Sequence, residues 1–243
     1  MNRLTRKLEN FAELSEKDRR FLDEVTATDR EVGPRQDLIS EGDRPDHVHL
    51  VLEGFACRYK LTADGARQIM AYLVPGDFCD LHVFILTEMD HSIATLSPCR
   101  IVDIPRRTVL EMTERPAVAR ALWWAALVDE AVLREWLVNM GRREAPERIA
   151  HLLCEVLLRL RAVGLADSDS CELPITQGEL ADTVGLSTVH VNRSLQALRD
   201  AGLITLRGGR LVILDAKRLT EFGGFNPNYL HLSARVPGRV GAA

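Results

Sequence analysis

The chain has 243 residues, enough for one large or two ordinary domains. Hydrophobic residues make up 46% and charged residues 27%, as in soluble globular proteins, and the formal net charge is −4. No apolar run is long enough to span a bilayer, and the N-terminus lacks the apolar core of a signal peptide, so we expect a cytoplasmic protein with no membrane partner. The five cysteines are scattered without a C-x-x-C pair, which predicts free thiols and argues against a zinc site.

The first 105 residues change from a helical to a strand-like pattern. Apolar residues recur at helical spacing over residues 1–25, which predicts one or two short amphipathic helices. Residues 30–105 contain short or alternating apolar runs, separated by turn signals such as Glu41-Gly42-Asp43 and Pro75-Gly76-Asp77. Many short strands with Gly-marked turns predict a sandwich or jelly-roll barrel, followed by a helical segment over 106–112.

From residue 116 to 140 the pattern is helical again, over an unusual length. Apolar residues recur there at steps of four and three, interrupted by Asp129. Such a stripe is too large for a small barrel to cover, so we interpret it as the seam of a homodimer. The predicted seam consists of Leu122, Ala126, Leu133, Trp136 and Met140.

The stretch from Leu173 to Ile204 predicts two helices joined by a tight turn. Thr176 and Glu179 have the spacing of a capping box at the start of the first helix. Gly185 can adopt the left-handed conformation that ends this helix, and Ser187 can cap the next one. This is the plan of a helix-turn-helix, whose second helix fits the DNA major groove, about 12 Å wide.

The outer face of the second helix favours DNA reading over a purely structural helical hairpin. Arg193 can bind guanine, Asn192 can bind adenine, and a Thr or Val can touch a thymine methyl group. Residues 203–206 and 211–214 are two short strands that predict a wing, with an arginine on each side of a Gly-Gly turn. The predicted DNA contacts are Thr176, Gln177, Ser187, Thr188, Val189, His190, Asn192, Arg193, Arg199, Arg207 and Arg210.

The local charge agrees with a phosphate-contacting surface. From Ser187 to Arg218 there are six basic and two acidic residues, a balance of +4 within a chain of net charge −4. We therefore predict an α+β protein: an N-terminal barrel domain (1–115), a dimerisation helix (116–140), a winged helix-turn-helix domain (141–222) and a poorly ordered tail (223–243).

A barrel, a long helix and a winged helix-turn-helix, in that order, resemble the Crp–Fnr family of bacterial transcription regulators. The resemblance covers roughly residues 10–220 and is strongest in residues 176–204 and in Pro75-Gly76-Asp77-Phe78. It implies a homodimer on a two-fold symmetric site in double-stranded DNA, with half-sites about 34 Å apart. It further implies a barrel that senses an effector, a long helix that relays its state, and RNA polymerase as a partner.

The effector region departs from the cyclic-nucleotide-binding members. Those members carry Phe-Gly-Glu after the Pro-Gly turn and a later Arg-Ser or Arg-Thr pair, whereas this chain has Phe78-Cys79-Asp80 and His91-Ser92. A histidine, mostly neutral near pH 7, is a poor replacement for a guanidinium facing a phosphate, which argues against cyclic AMP. The candidate effector residues implied by the resemblance are Gly76, Phe78, Cys79, Asp80, Leu81, His91 and Ser92.

The positions of the cysteines and histidines bear on the other sensing chemistries of the family. Members with an iron–sulfur cluster have cysteines crowded before the barrel, and this chain has none before Cys57. Haem stays open as an alternative, because Cys79, His82 and His91 lie in one region. A redox role requires an exposed thiol with a lowered pKa, and we expect buried, inert thiols instead. The effector is therefore unknown.

The recognition helix also departs from relatives that carry Arg-Glu-Thr-Val-x-Arg and read a TGTGA-type half-site. This chain has Thr188-Val189-His190-Val191-Asn192-Arg193, so the final Arg is kept and the Glu that would read cytosine is absent. The DNA half-site is therefore expected to differ from TGTGA at the base pair that this Glu would read.

The alternative function is a cupin-like metalloenzyme. His47, His49 and Glu53 match part of the H-x-H-x(3)-E metal motif and would face one side of a strand. The second half of that motif is poorly met, and a cupin has no need of a wing. We therefore predict neither a catalytic nor a metal site.

Overall fold

The computed structural model describes residues 2–81 and 87–232. The N-terminal domain comprises α1 (Arg3–Leu8), α2 (Glu16–Val25), β1 (Arg30–Val32), β2 (Asp37–Ile39), β3 (His47–Glu53), β4 (Ala56–Leu61), β5 (Arg67–Leu73), β6 (Ser92–Thr95), β7 (Cys99–Pro105) and α3 (Arg106–Thr113). Helix α4 (Pro116–Arg142) follows. The C-terminal domain comprises α5 (Ala145–Ala162), β8 (Ser170–Glu172), α6 (Gln177–Val184), α7 (Thr188–Asp200), β9 (Ile204–Arg207), β10 (Arg210–Ile213) and α8 (Ala216–Phe222), and a 3₁₀ helix spans Pro227–Leu230.

The predicted α+β architecture is confirmed. The N-terminal strands form two antiparallel sheets, of order β1-β7-β3 and β2-β6-β4-β5. Their inner faces share one apolar core with α1, α3 and the first turns of α4. Alternation along the strands produces this arrangement, because successive side chains point to opposite faces.

The second core lies between the two domains. The outer face of β4 and β5 carries Cys57, Ile69 and Tyr72, which are buried against the C-terminal domain. Strand β5 is therefore apolar on both faces, whereas a sheet that faced water would keep one polar face. The C-terminal domain consequently packs directly on the barrel.

The position of α4 removes two of the five predicted seam residues, Leu122 and Trp136, from the seam, whereas Leu133 is exposed and Ala126 and Met140 are half-buried. Leu122 is only 2% exposed and belongs to the barrel core, and Trp136 packs edge-on against Tyr72 with ring centroids 5.6 Å apart. Neither residue is available to a partner chain. The exposed apolar positions of α4, named here the α4 stripe, are Trp123, Leu127, Leu133, Leu137 and Val138.

The predicted disordered tail is also corrected for residues 223–232, named here the C-terminal segment. Phe225, Tyr229 and Leu230 are buried, and the ring of His231 meets that of Trp124 edge-on. Burial of these large apolar groups offsets the entropy of ordering the segment. Residues 233–243 lie outside the described residues. In the described ranges, 2–81 and 87–232, no helix is long and apolar enough to cross a membrane.

Candidate nucleic-acid interface and sensor region

The two helices of the predicted helix-turn-helix form as their capping residues require. Thr176 caps α6, and Glu179 accepts a bond from the Thr176 backbone N–H at 2.7 Å, which completes the capping box. Gly185 ends the helix in the left-handed region, at φ +64°. The Ser187 hydroxyl accepts the N–H of His190 at the start of α7.

Helix α7 has one buried and one exposed face. Val191, Leu195 and Leu198 are fully buried against the rest of the domain. The predicted contacts Ser187, Thr188, Val189, His190, Asn192 and Arg193 are exposed, as are Thr176 and Gln177 at the start of α6. Within the described part of the chain, no carboxylate pairs with Arg193. The exposed face thus presents amide, hydroxyl and guanidinium groups, which are the kinds of group that can bind base edges.

The wing is built as predicted, but its two arginines differ. Strands β9 and β10 pair so that Arg207 lies opposite Arg210, and Gly208 and Gly209 turn between them with positive φ. Arg207 has no acidic partner among the described residues. Arg210 instead binds Glu172 and Asp167, each at 3.2 Å.

Arg199 is the other predicted contact that is engaged within the chain. It is half-buried and donates to the carbonyl of Leu206 at 3.3 Å, so it ties α7 to the wing. Of the four arginines predicted to contact DNA, Arg193 and Arg207 are therefore the two without a partner in the described residues.

Polar contacts fix α6 on strand β5 of the barrel. Arg67 donates to Asp182 at 2.7 Å, and Gln68 donates to the carbonyl of Thr183 at 3.1 Å. The hydroxyls of Tyr72 and Thr183 are buried and 2.6 Å apart. Because these residues are about 115 positions apart in the chain, no local pattern signals the contact.

The predicted effector residues are mostly buried, and the contact observed among them joins His91 to Asp80. Gly76, Phe78, Cys79, Asp80 and Ser92 are buried, whereas Leu81 is half-buried. The His91 ring lies 3.7 Å from the Asp80 carboxylate and also contacts Asp90 at 2.6 Å. Carboxylates beside the histidine repel an approaching phosphate, in agreement with the argument against cyclic AMP. His82, part of the haem alternative, lies outside the described residues.

A half-buried arginine joins this region to α4, and the sequence pattern did not reveal it. Arg58 on β4 donates to the carbonyls of Cys79 (2.6 Å) and Phe78 (3.3 Å) and forms an ion pair with Asp129. Asp129 is the residue that interrupts the predicted seam. The available signal was an arginine inside a strand together with an aspartate inside an apolar stripe.

The cysteines are free and buried in the structure. Burial raises the pKa of Cys57 and Cys154 to about 12 and that of Cys171 to about 11. Burial also raises the pKa of Cys79 and Cys99. Protonated thiols are weak nucleophiles and weak metal ligands, so the expectation of inert thiols agrees with these environments.

The cupin-like alternative is not supported. His47 binds Asp46 and His49 binds Asp103, each at 2.7 Å, while Glu53 pairs with Arg100 at 3.0 Å. A register shift between Val51 and Glu53 moves the glutamate out of the phase of the histidines. No cluster of three metal-ligating side chains occurs in the described residues.

Two family models match the chain. The cyclic nucleotide-binding domain matches residues 29–115, and the Crp-like helix-turn-helix domain matches residues 147–222. The transcriptional activator protein FnrL of Cereibacter sphaeroides is 34% identical over 194 residues, which cover 78% of this chain and 77% of FnrL. The nitrogen fixation regulation protein FixK of Bradyrhizobium diazoefficiens is 32% identical, over 75% of this chain and 76% of FixK.

The fold comparison agrees with the sequence comparison. The structure of FixK2 from Bradyrhizobium japonicum superposes with a TM-score of 0.70 at 24% identity, covering 80% of this chain and 96% of that one. A CRP family transcriptional regulator from Thermus thermophilus superposes with a TM-score of 0.62 at 20% identity, over 80% of this chain and 96% of the other.

Proposed function

Because the chain belongs to the Crp–Fnr family of DNA-binding transcription regulators, we propose that it binds a two-fold symmetric promoter site as a homodimer through α7 and the wing. The observation that carries the proposal is the exposed face of α7, on which Arg193 has no acidic partner among the described residues. Arg193 reads a base, Arg207 binds a phosphate, and the amides at the start of α6 hold the backbone.

The α4 stripe supports the dimer. Leu137 is 75% exposed and Trp123 is 72% exposed, although both are large apolar residues. A second copy of α4 covers the stripe and places two α7 helices on successive major grooves, about 34 Å apart. The relative FnrL is named a transcriptional activator, and we extend that role to this chain in the cytoplasm, with RNA polymerase as the partner.

The test is selection of binding sites from randomised double-stranded DNA. The wild-type chain is expected to select inverted repeats whose half-sites are one helical turn, or a multiple of it, apart. The variant Arg193→Ala is expected to relax one base pair in each half-site, at a cost of about 1–3 kcal/mol at that position. The control Arg20→Ala, an exposed position on α2, is expected to select the wild-type site. An unchanged preference in Arg193→Ala would overturn the proposal.

The ion pair between Arg58 and Asp129 is proposed to relay the state of the barrel to α4. Arg58 holds the backbone at Phe78 and Cys79, so a displacement of these residues moves its guanidinium and with it Asp129. Asp129→Asn is expected to speed amide hydrogen exchange at Phe78 and Cys79. The control Glu130→Gln, whose partner is Arg134 on the surface, is expected to leave exchange unchanged. Equal exchange in both variants contradicts the relay.

A further inference from the structure

A cleft lies where the barrel, α1, α4, α5 and the C-terminal segment meet. It encloses about 810 Å³, including the part open to solvent. Its apolar walls come from the turn after α1, the turn after β5, helix α4 and the C-terminal segment. The residues are Phe11, Val74, Val128, Val132, Leu230 and Leu232. A concave, mostly apolar space with a few convergent polar groups is the usual form of a small-molecule site.

This cleft extends beyond the matched cyclic nucleotide-binding domain, which supplies only part of its lining: Arg58, Val74, Asp77, Phe78 and Leu81. That domain ends at residue 115, whereas Val128, Val132 and Leu232 lie outside both family matches. The ordered C-terminal segment closes the cleft on one side, and α1 closes it on another. A ligand there touches both the barrel and the DNA-binding domain.

Within residues 2–81 and 87–232, the cationic groups of the cleft have N–H donors without a partner. Lys7 gives one of its three N–H groups to Asp77, and Arg58 gives three of its five to Asp129 and two carbonyls. The acceptors are better occupied, because the Asp77 carboxylate takes bonds from Lys7, from Arg159 at 2.7 Å and from the Val74 N–H at 2.9 Å. Among the described residues, Lys7 and Arg58 therefore keep donors without a partner, the Asp77 carboxylate is fully used, and Asp129 accepts a bond from Arg58 through one of its two oxygens.

We propose that this cleft binds a small organic acid, with its carboxylate on Lys7 and Arg58 and its apolar body between the α4 valines and Leu232. Charge-assisted bonds to the two cations favour an anion, and the walls favour an unbranched or aromatic hydrocarbon body. The consequence for DNA binding rests on the proposed function. Asp77 joins the barrel to Arg159 of α5, so an acid that competes for Lys7 changes this contact between the domains.

Isothermal titration of the full chain with octanoate, 1-octanol and octylamine tests the site. Octanoate is expected to bind one per chain, more tightly than either octanol or octylamine. Lys7→Met is expected to weaken octanoate roughly 10-fold or more and to leave octanol unchanged. The control Lys17→Met, exposed on α2, is expected to bind octanoate like the wild type.

A second pair of variants tests the position of the apolar body. Val128→Trp fills the cleft and is expected to block octanoate; if it does not fold, Leu232→Glu places a carboxylate in the wall and is expected to weaken octanoate selectively. Binding of all three probes alike, or unchanged octanoate binding in Lys7→Met, overturns the proposal. DNA binding is measured separately without ligand. A protein that binds no DNA would refute the proposed function, whereas the proposed ligand site is tested only by the titrations.

Discussion

The unequal arginines of the wing lead to a prediction about the salt dependence of DNA binding. Arg207 has no acidic partner in the described residues, so in the complex it displaces condensed counterions from a phosphate. Each such contact contributes about 0.9 to the slope of log K against log salt concentration, and the two wings of a dimer contribute about 1.8. Arg207→Ala is therefore expected to lower the slope by about 1.8. Between 50 and 200 mM salt, the affinity of the wild-type protein for DNA is therefore expected to fall about 12-fold more than the affinity of the variant.

Arg210→Ala is the matched control for this measurement. Its guanidinium already binds Glu172 and Asp167, so contact with a phosphate requires these ion pairs to break. Removing Arg210 is expected to change the slope by less than half as much as removing Arg207. Fluorescence anisotropy with one labelled duplex over a series of salt concentrations measures both slopes. Equal slope changes, or a loss in Arg207→Ala that depends on the base sequence, would refute the reasoning.

Three further predictions concern assembly, the turn and pH. Leu137→Glu on the α4 stripe is expected to give a monomer in native mass spectrometry, whereas Leu61→Glu, at a position 58% exposed on β4, stays dimeric; a dimeric Leu137→Glu contradicts the stripe. Gly185→Ala is expected to destabilise the folded protein by about 1–2 kcal/mol, because φ is +64° at this position. Gly141→Ala in α4, where an added Cβ meets no atom within 4 Å, is expected to stabilise it by about 0.5–1 kcal/mol. Calorimetry that gives the same sign for both variants would exclude this account. Burial lowers the pKa of His151 to about 3, so the folded protein holds this ring neutral while the unfolded chain protonates it below about pH 6.5. The free energy of unfolding is therefore at its full value above pH 6.5 and decreases as the pH falls towards 3. That loss is about 2 kcal/mol between pH 7 and pH 5 and is expected to be absent in His151→Gln, as denaturant titration at both pH values can show.

Much of the local structure and of the DNA-facing site was predictable from the sequence. The Thr176 capping box, the end of α6 at Gly185 and the Gly-Gly turn of the wing depend on interactions within about four residues. The two faces of α7 followed from helical periodicity in the same way. Which arginines stay free was not predictable, because Arg210 is paired with Glu172, 38 positions away.

The sequence by itself therefore determined the order of the helices and strands, the turns and the exposed face of α7. The tertiary structure decided which face of α4 is covered, since this helix meets the barrel, α5 and the C-terminal segment on different sides. It also decided the pairing of Arg58 with Asp129, 71 residues apart, and the order of the C-terminal segment, whose Tyr229 donates to the buried Glu155. Periodicity shows that a helix has an apolar face but not what covers it, because contacts between distant segments depend on the packing of the whole chain.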